Sequence, residues 1–285
     1  MSNVFITGTS SGFGFLIAKT LLGAGHNVFA GMRDQGKAAE NVAALKEAAS
    51  SSKGSLQILM VDVVEGETVD RAVGKIIAEA GHIDVVVNNA GLGGGGYIEG
   101  YTPEQFEKVF DVNVFGVQRV LRAVLPHMRE RKAGLCITTG SSLGRYVLPF
   151  MGPYAMTKFA LECMNDLYRM ELAPFGIEFT LVQPGGYPTS FLANGQQPAD
   201  GARLATYGEF ADAPMKMFGP FAEFLASPNA PNPQVVADKV AELIAMPAGS
   251  RPDRANVDLM MGEALEAINK TCAAVQAQIA ANSGK

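Results

Sequence analysis

The chain has 285 residues, 48% hydrophobic and 18% charged, which supports a sizeable core and is too apolar for a disordered chain. Its formal charge of -5 excludes a dedicated nucleic-acid binder, which needs a basic face. No apolar run reaches the roughly 18 residues of a membrane span; the longest candidate, 109–121, is interrupted by Asp111, Asn113, Gln118 and Arg119.

Short β-rich apolar runs at 3–7, 27–32, 56–61, 84–88, 135–139 and 178–182 alternate with helical patterns near 12–24, 37–50, 66–80, 103–131 and 154–173. The runs are almost continuously apolar, as parallel strands covered on both faces must be. This alternation predicts an α/β fold: a Rossmann-like doubly wound parallel sheet with helices on both faces and right-handed crossovers. Ligands of such sheets bind beyond the carboxyl ends of the strands, so the loops after the strands are where chemistry is expected. After residue 184 the pattern weakens. Eleven of the fifteen prolines lie beyond residue 170, which favours irregular chain there. What remains is too short for an ordinary second core, so one domain over 1–285 with a substrate-covering lid at about 187–232 is expected. Helical periodicity returns at 233–246 and 257–281, with fraying after Ile279.

Cys136, Cys163 and Cys272 are widely spaced, and His26, His82 and His127 lie far apart with no CxxC or HxxxH spacing. No metal site and no disulfide framework is expected. Cys136 and Cys163 sit in apolar runs and read as small core hydrophobes rather than catalytic thiols. No charged n-region precedes Val4-Phe5-Ile6, so the fold is expected to begin almost at Met1, and the setting to be reducing and cytoplasmic.

The first strand runs into Thr7-Gly8-Thr9-Ser10-Ser11-Gly12-Phe13-Gly14 and then a helix. Glycines there let backbone amides approach a pyrophosphate at the helix N-terminus, where the dipole favours negative charge. Asn88-Asn89-Ala90-Gly91 closes the fourth strand, Asn113 lies in the long helical pattern, and Ser141-Ser142 follows the fifth strand. Thirteen residues after Ser141 come Tyr154 and Lys158, spaced i, i+4 on one helical face. A phenol is a poor base at neutral pH, and an ammonium beside it favours phenolate.

These pieces, in this order, resemble the short-chain dehydrogenase/reductase family over about residues 3–190. The resemblance implies a hydride-transferring oxidoreductase. Tyr154 would be the general acid/base, Ser141 would bind the substrate oxygen, Lys158 would lower the Tyr pKa and hold the nicotinamide ribose, and Asn113 would position a relay water. Gly144, ten residues before Tyr154, aligns Ser141 with the family serine, and Ser142 is the alternative. The glycine turn would contact the cofactor through Gly8, Ser10, Ser11, Gly12, Phe13 and Gly14, and the second turn through Asn89 and Gly91. Asp62 and Val63 resemble the pair that flanks the adenine. Pro184-Gly185 with Thr189 resembles the segment that engages the nicotinamide carboxamide.

Family members that prefer NAD place an acid at the end of the second strand, where this chain has Met32, Arg33 and Asp34. Arginine pairs with a 2′-phosphate, so NADP is expected, with NAD open through Asp34. Leu143, Tyr146, Val147, Leu148, Phe150 and Met151, with Tyr187, Phe191, Leu192, Met215, Met217 and Phe218 of the lid, suit a small apolar ketone or alcohol. Residues 28–34 and 154–162 resemble the steroid and retinol dehydrogenase branch. Surplus apolar residues on two helices, Val117, Val120, Val124 and Leu125, then Phe159, Cys163, Met164, Leu167 and Met170, could bury against another copy, and the resemblance implies a homodimer or homotetramer. The competing function is an NADP(H)-binding redox sensor without turnover, a role that would not require the intact Tyr154–Lys158 pair.

Overall fold

In the computed structural model, which describes residues 1–191 and 194–283, the strands follow the predicted alternation. The chain runs β1 (Asn3–Thr7), α1 (Gly12–Gly23), β2 (Asn27–Met32), α2 (Ala39–Ser50), β3 (Leu56–Met60), α3 (Gly66–Ala80) and β4 (Val85–Asn88). It continues through α4 (Pro103–Phe110), α5 (Gly116–Arg131), β5 (Gly134–Thr139), α6 (Gly152–Leu172) and β6 (Ile177–Pro184). Last come α7 (Gly201–Ala205), α8 (Ala213–Ala226), α9 (Gln234–Ala245), β7 (Arg254–Val257) and α10 (Gly262–Ser283). The strands form one sheet in the order β3-β2-β1-β4-β5-β6-β7, and every neighbouring pair is parallel.

Val4, Phe5 and Ile6 of central β1 are all fully buried. Successive strand side chains point to opposite faces, so this burial demands cover on both sides. One face carries Val4 and Ile6 against Ile17 and Leu21 of α1, Leu45 of α2 and Val236 and Val240 of α9. The other carries Phe5 and Val86 against Val69 and Ile76 of α3, Val120 and Val124 of α5 and Leu161 of α6. Each such aliphatic side chain contributes about 1.5–3 kcal/mol on burial.

Five expectations need correction. The single helix over 103–131 is two helices joined by a π-helical turn at Asp111–Phe115, because the extra residue per turn swings Asn113 inward. The helix expected from 257 starts at Gly262, since Arg254–Val257 is a seventh strand beside β6, too short and too polar to register as an apolar run. The segment after β6 contains α7 and α8. α8 carries Pro214 in its first turn and Pro220 inside it, which read in the sequence as breaks. Finally, Val117, Val120, Val124 and Leu125 are all buried in the protein's own core and leave nothing for a partner. Phe159, Leu167 and Met170 remain exposed. Cys136 is buried as expected, but Cys163 is exposed. Among the described residues no helix is long and apolar enough to cross a membrane.

Candidate functional site

The turn from β1 to α1 is set by contacts that only glycine permits. Gly8 has φ +73°, and a Cβ there would stand 2.7 Å from the Cα of Ala90. A Cβ on Gly14 would stand 2.2 Å from the carbonyl oxygen of Gly8 and 2.4 Å from Nδ2 of Asn89. The turn therefore lies flush on the one that ends β4. Two polar side chains lock the pair. Asn89 Nδ2 donates to the carbonyls of Thr7 and Gly8 at 3.1 Å each, and Thr7 Oγ1 accepts the amides of Asn89 and Ala90 at 3.1 Å each. Asn89, expected at the cofactor, thus has its amide spent on the turn itself.

Ser11 precedes α1 in extended backbone, caps nothing with its side chain, and is followed by no acidic residue in the first turn. Among the described residues no side chain accepts from the first amides of this twelve-residue helix, which stand at the positive end of the helix dipole. A Cβ on Gly12 would meet Thr189 at 3.7 Å, and Ser11 Oγ lies 3.3 Å from Ser190 Oγ, so the 184–190 segment crosses directly over this helix end. The Ser10 carbonyl accepts from Asn41 Nδ2 at 2.8 Å. Phe13 packs edge-on to Tyr187 at 5.6 Å. Such a cradle, with close backbone, open amides and no carboxylate, fits a pyrophosphate.

β2 ends at Met32, and Arg33 and Asp34 are exposed in the following loop. Asp34 Oδ1 accepts the amides of Gly36 at 2.9 Å and Lys37 at 3.1 Å, which commits that oxygen to its own turn. Arg33 has no hydrogen bond or ion pair among the described residues. Asp62 Oδ1 accepts the amide of Val64 at 3.2 Å, and Val63 is buried against Gly116. Gly91 faces Asn113, whose Oδ1 would lie 3.6 Å from a Cβ there. Pro184 ends β6 opposite Val257, and Gly185 is pressed against Asp258.

α6 carries the titratable pair. Tyr154 is 8% exposed and Lys158 6% exposed. Lys158 Nζ lies 5.5 Å from the Tyr154 ring centroid and donates to the Thr139 carbonyl at 2.8 Å. Ser141 stands beside the Tyr154 phenol, close enough to lower its pKa, and accepts the Leu143 amide at 3.2 Å. Ser142 Oγ instead sits 3.1 Å from the Tyr146 hydroxyl. Of the two adjacent serines, Ser141 is the one beside Tyr154. Both ends of the Asn113 amide are engaged: its Oδ1 accepts the Leu92 amide at 2.7 Å, and its Nδ2 donates to Leu92 O at 2.9 Å and Thr157 Oγ1 at 3.0 Å. Its side chain pins the π-helical turn to α6 and to Leu92, and Oδ1 keeps a second lone pair.

The electrostatics depart from expectation. Burial pushes the Tyr154 phenol up to about 12, and the Ser141 side chain beside it only partly offsets this. Burial pulls the Lys158 ammonium down to about 8. Loss of water around a phenolate outweighs the pull of an ammonium that is itself disfavoured by the same dry surroundings.

Phe191 packs on Tyr154 at 5.1 Å between ring centroids. Tyr146, Phe218, Leu143 and Met151 complete an apolar cluster around the phenol. Gly93 has no room for a side chain because Phe191 would lie 2.6 Å from its Cβ, and Gly94 pairs with Gln196. The glycine run thus lets Phe191 and Gln196 lie directly against it. Val147 (71% exposed) and Met215 (70% exposed) point to solvent, Tyr187 is core, and Leu192 lies outside the described residues. Sequence reasoning missed Thr139 and Thr157, whose roles rest on contacts between separate elements, and Asp258, which follows a strand it did not predict.

The profile of the short chain dehydrogenase family matches residues 2–199. The chain is 39% identical over 191 residues to a 3-ketodihydrosphingosine reductase of Bacteroides thetaiotaomicron, covering 67% of this chain and 66% of that one. In structure it is similar to a short-chain dehydrogenase of Streptomyces avermitilis, with TM-score 0.76 and 28% identity over 98% of this chain and 96% of that one. It is also similar to an alcohol dehydrogenase of the archaeon Thermococcus sibiricus complexed with 5-hydroxy-NADP, with TM-score 0.71 and 25% identity over 90% of this chain and 96% of that one.

Proposed function

Because the chain belongs to the short-chain dehydrogenase family, we propose that it transfers hydride between NADP(H) and an apolar carbonyl or secondary alcohol. The observation that carries this reading is one buried corner that holds Ser141 beside the phenol of Tyr154, with Lys158 Nζ 5.5 Å from its ring. Gly8, Ser10, Ser11, Gly12 and Gly14 would hold the pyrophosphate, Asp62 and Val63 would flank the adenine, and Gly185 and Thr189 would meet the carboxamide. The bound nicotinamide supplies or accepts the hydride at the substrate carbon.

At neutral pH the phenol is protonated, as its upward shift requires, and Tyr154 is ready to give a proton to the oxygen that gains negative charge in reduction. Ser141 orients that oxygen. Lys158 uses one N–H on Thr139 and keeps two for ribose hydroxyls, and its charge stabilises the phenolate left behind. In oxidation the same phenolate takes the alcohol proton. Phe191 and its apolar neighbours exclude water from the reacting atoms and favour an uncharged substrate. Arg33, unpaired among the described residues where an acid would select NAD, supports NADP.

The test is turnover of apolar ketones and alcohols with both cofactors, by wild type and by Tyr154→Phe. The reading expects kcat to fall by roughly 10²–10⁴ in the variant while NADPH still binds. Cofactor binding without turnover on any substrate would instead favour a sensor. The exposed α6 residues Phe159, Leu167 and Met170 support a homodimer or homotetramer through this helix. A monomeric mass by light scattering at micromolar concentration overturns that part.

A further inference from the structure

β7 and the turn after it lie beyond residue 199, where the family match ends, and they carry a carboxylate that the mechanism above does not use. Asp258 is 5% exposed and stands between two turns that arrive from different parts of the chain. On one side it touches Gly185: a Cβ there would lie 2.5 Å from both Cγ and Oδ1 of Asp258. On the other, its Oδ2 accepts from the Tyr146 hydroxyl at 3.2 Å, and that hydroxyl lies 3.1 Å from Ser142 Oγ. A carboxylate only accepts, so the phenol proton goes to Asp258 and the Ser142 hydroxyl donates to the phenol oxygen. The chain of bonds ends one residue from Ser141.

Asp258 is itself held in one place. Its Oδ1 accepts the amides of Met260 and Met261 at 2.9 Å each, and its own amide donates to Asn256 Oδ1 at 2.9 Å. Asn256 Nδ2 in turn donates to the Gly262 carbonyl at 2.7 Å, which ties the turn to the start of α10. Tyr187, two residues past Gly185, donates its hydroxyl to the Val257 carbonyl. A rigid carboxylate in contact with both turns fixes their separation.

We infer that Asp258 is a positioning residue that holds the Pro184-Gly185 turn and the Ser141-Ser142 turn at a set distance, through Gly185 on one side and Tyr146 on the other. What the two turns do rests on the proposed function; that they are coupled does not. In the working enzyme the coupling keeps the serine that orients the substrate oxygen in register with the turn that would hold the nicotinamide. An error of about 1 Å in such a register lowers a rate by about two orders of magnitude.

The experiment uses the full chain in four forms: wild type, Asp258→Asn, Tyr146→Phe and the double variant. Hydrogen exchange of the cofactor-free protein is the first readout. Asp258→Asn is expected to speed exchange about fivefold or more in both 141–147 and 185–190, Tyr146→Phe only in 141–147, and neither in 8–14. In turnover, each single variant is expected to lose about tenfold in kcat, the double variant to be no worse than the poorer single, and Tyr146→Phe to leave the NADPH Kd almost unchanged. Exchange unchanged in either turn of Asp258→Asn, or single effects that simply multiply in the double variant, overturns the inference. If Asp258→Asn does not fold, Tyr146→Phe removes only one oxygen, and wild-type exchange at 141–147 in that variant is equally decisive. If wild type turns over no substrate, the proposed function fails alone, and the exchange data still decide the coupling.

Discussion

Two turns on the carboxyl edge of the sheet are built on opposite principles. The β1–α1 turn is a backbone site: its defining contacts are those of Gly8 and Gly14 with neighbouring main chain and with Asn89, and its open groups are amides. The corner between β5 and α6 is a side-chain site, where Ser141, Tyr154 and Lys158 bring one hydroxyl, one phenol and one ammonium into dry surroundings. The first should be sensitive to added volume and indifferent to side-chain chemistry. The second should tolerate the loss of an atom in packing terms but not in function.

The largest contrast is expected from Tyr154→Phe. It keeps the ring against Phe191, so the melting temperature should barely move, while the loss in kcat proposed above should be accompanied by loss of the alkaline rise in the oxidation rate. Because burial raises the phenol, that rise should lie on the alkaline side of neutrality in the wild type, and a pH profile of oxidation checks it.

Gly14→Ala should behave in the opposite way. One methyl placed 2.2 Å from the Gly8 carbonyl forces the turn apart, at about 1–3 kcal/mol of distortion. Both the melting temperature and NADPH affinity should fall, the latter by about tenfold or more, as read by nicotinamide fluorescence. A variant with unchanged affinity would show that the turn does not carry the pyrophosphate.

Lys158 tests the side-chain site through stability. Its folded pKa, about 8, lies below the ordinary 10.5, so below pH 8 both states are charged and the burial penalty is fully present. Between 8 and 10.5 the unfolded chain binds more protons than the folded one, so stability rises with pH. Tyr154, raised to about 12 from 10, acts in the other sense between those values, where the folded state holds the extra proton. Stability should therefore climb by about 1–3 kcal/mol from pH 8 to about 10 and then decline. Denaturant titrations across this range should show the climb in the wild type and none in Lys158→Met.

The smallest effect is expected at the exposed rim of the backbone site. Arg33→Asp places an acid where the proposed function would put the 2′-phosphate, in solvent, and should shift the NADPH-to-NADH affinity ratio toward NADH by about tenfold. The ratio of Kd values for the two cofactors measures it, and an unchanged ratio removes Arg33 from the cofactor site.

The same contrast explains what could be read without coordinates. Backbone sites leave glycines in the sequence, and i, i+4 pairs on a helix leave a spacing, so the β1–α1 turn, Asn89, Tyr154 and Lys158 were all legible from local pattern. The parallel direction of six strands followed from apolar runs alternating with helical periods, and their order in the sheet came from the structure. Ser141 over Ser142 was suggested by spacing to Gly144, and only the Tyr146 contact to Ser142 accounts for the second hydroxyl. Whatever depended on a partner distant in the chain stayed hidden. The π-helical turn that aims Asn113 at Leu92, the burial of Val117 and Val124, the seventh strand and the bridge from Asp258 to Tyr146 all follow from packing. The direction of the Tyr154 shift also belongs to the tertiary structure, because the ammonium four residues away is visible in sequence while the loss of water is not.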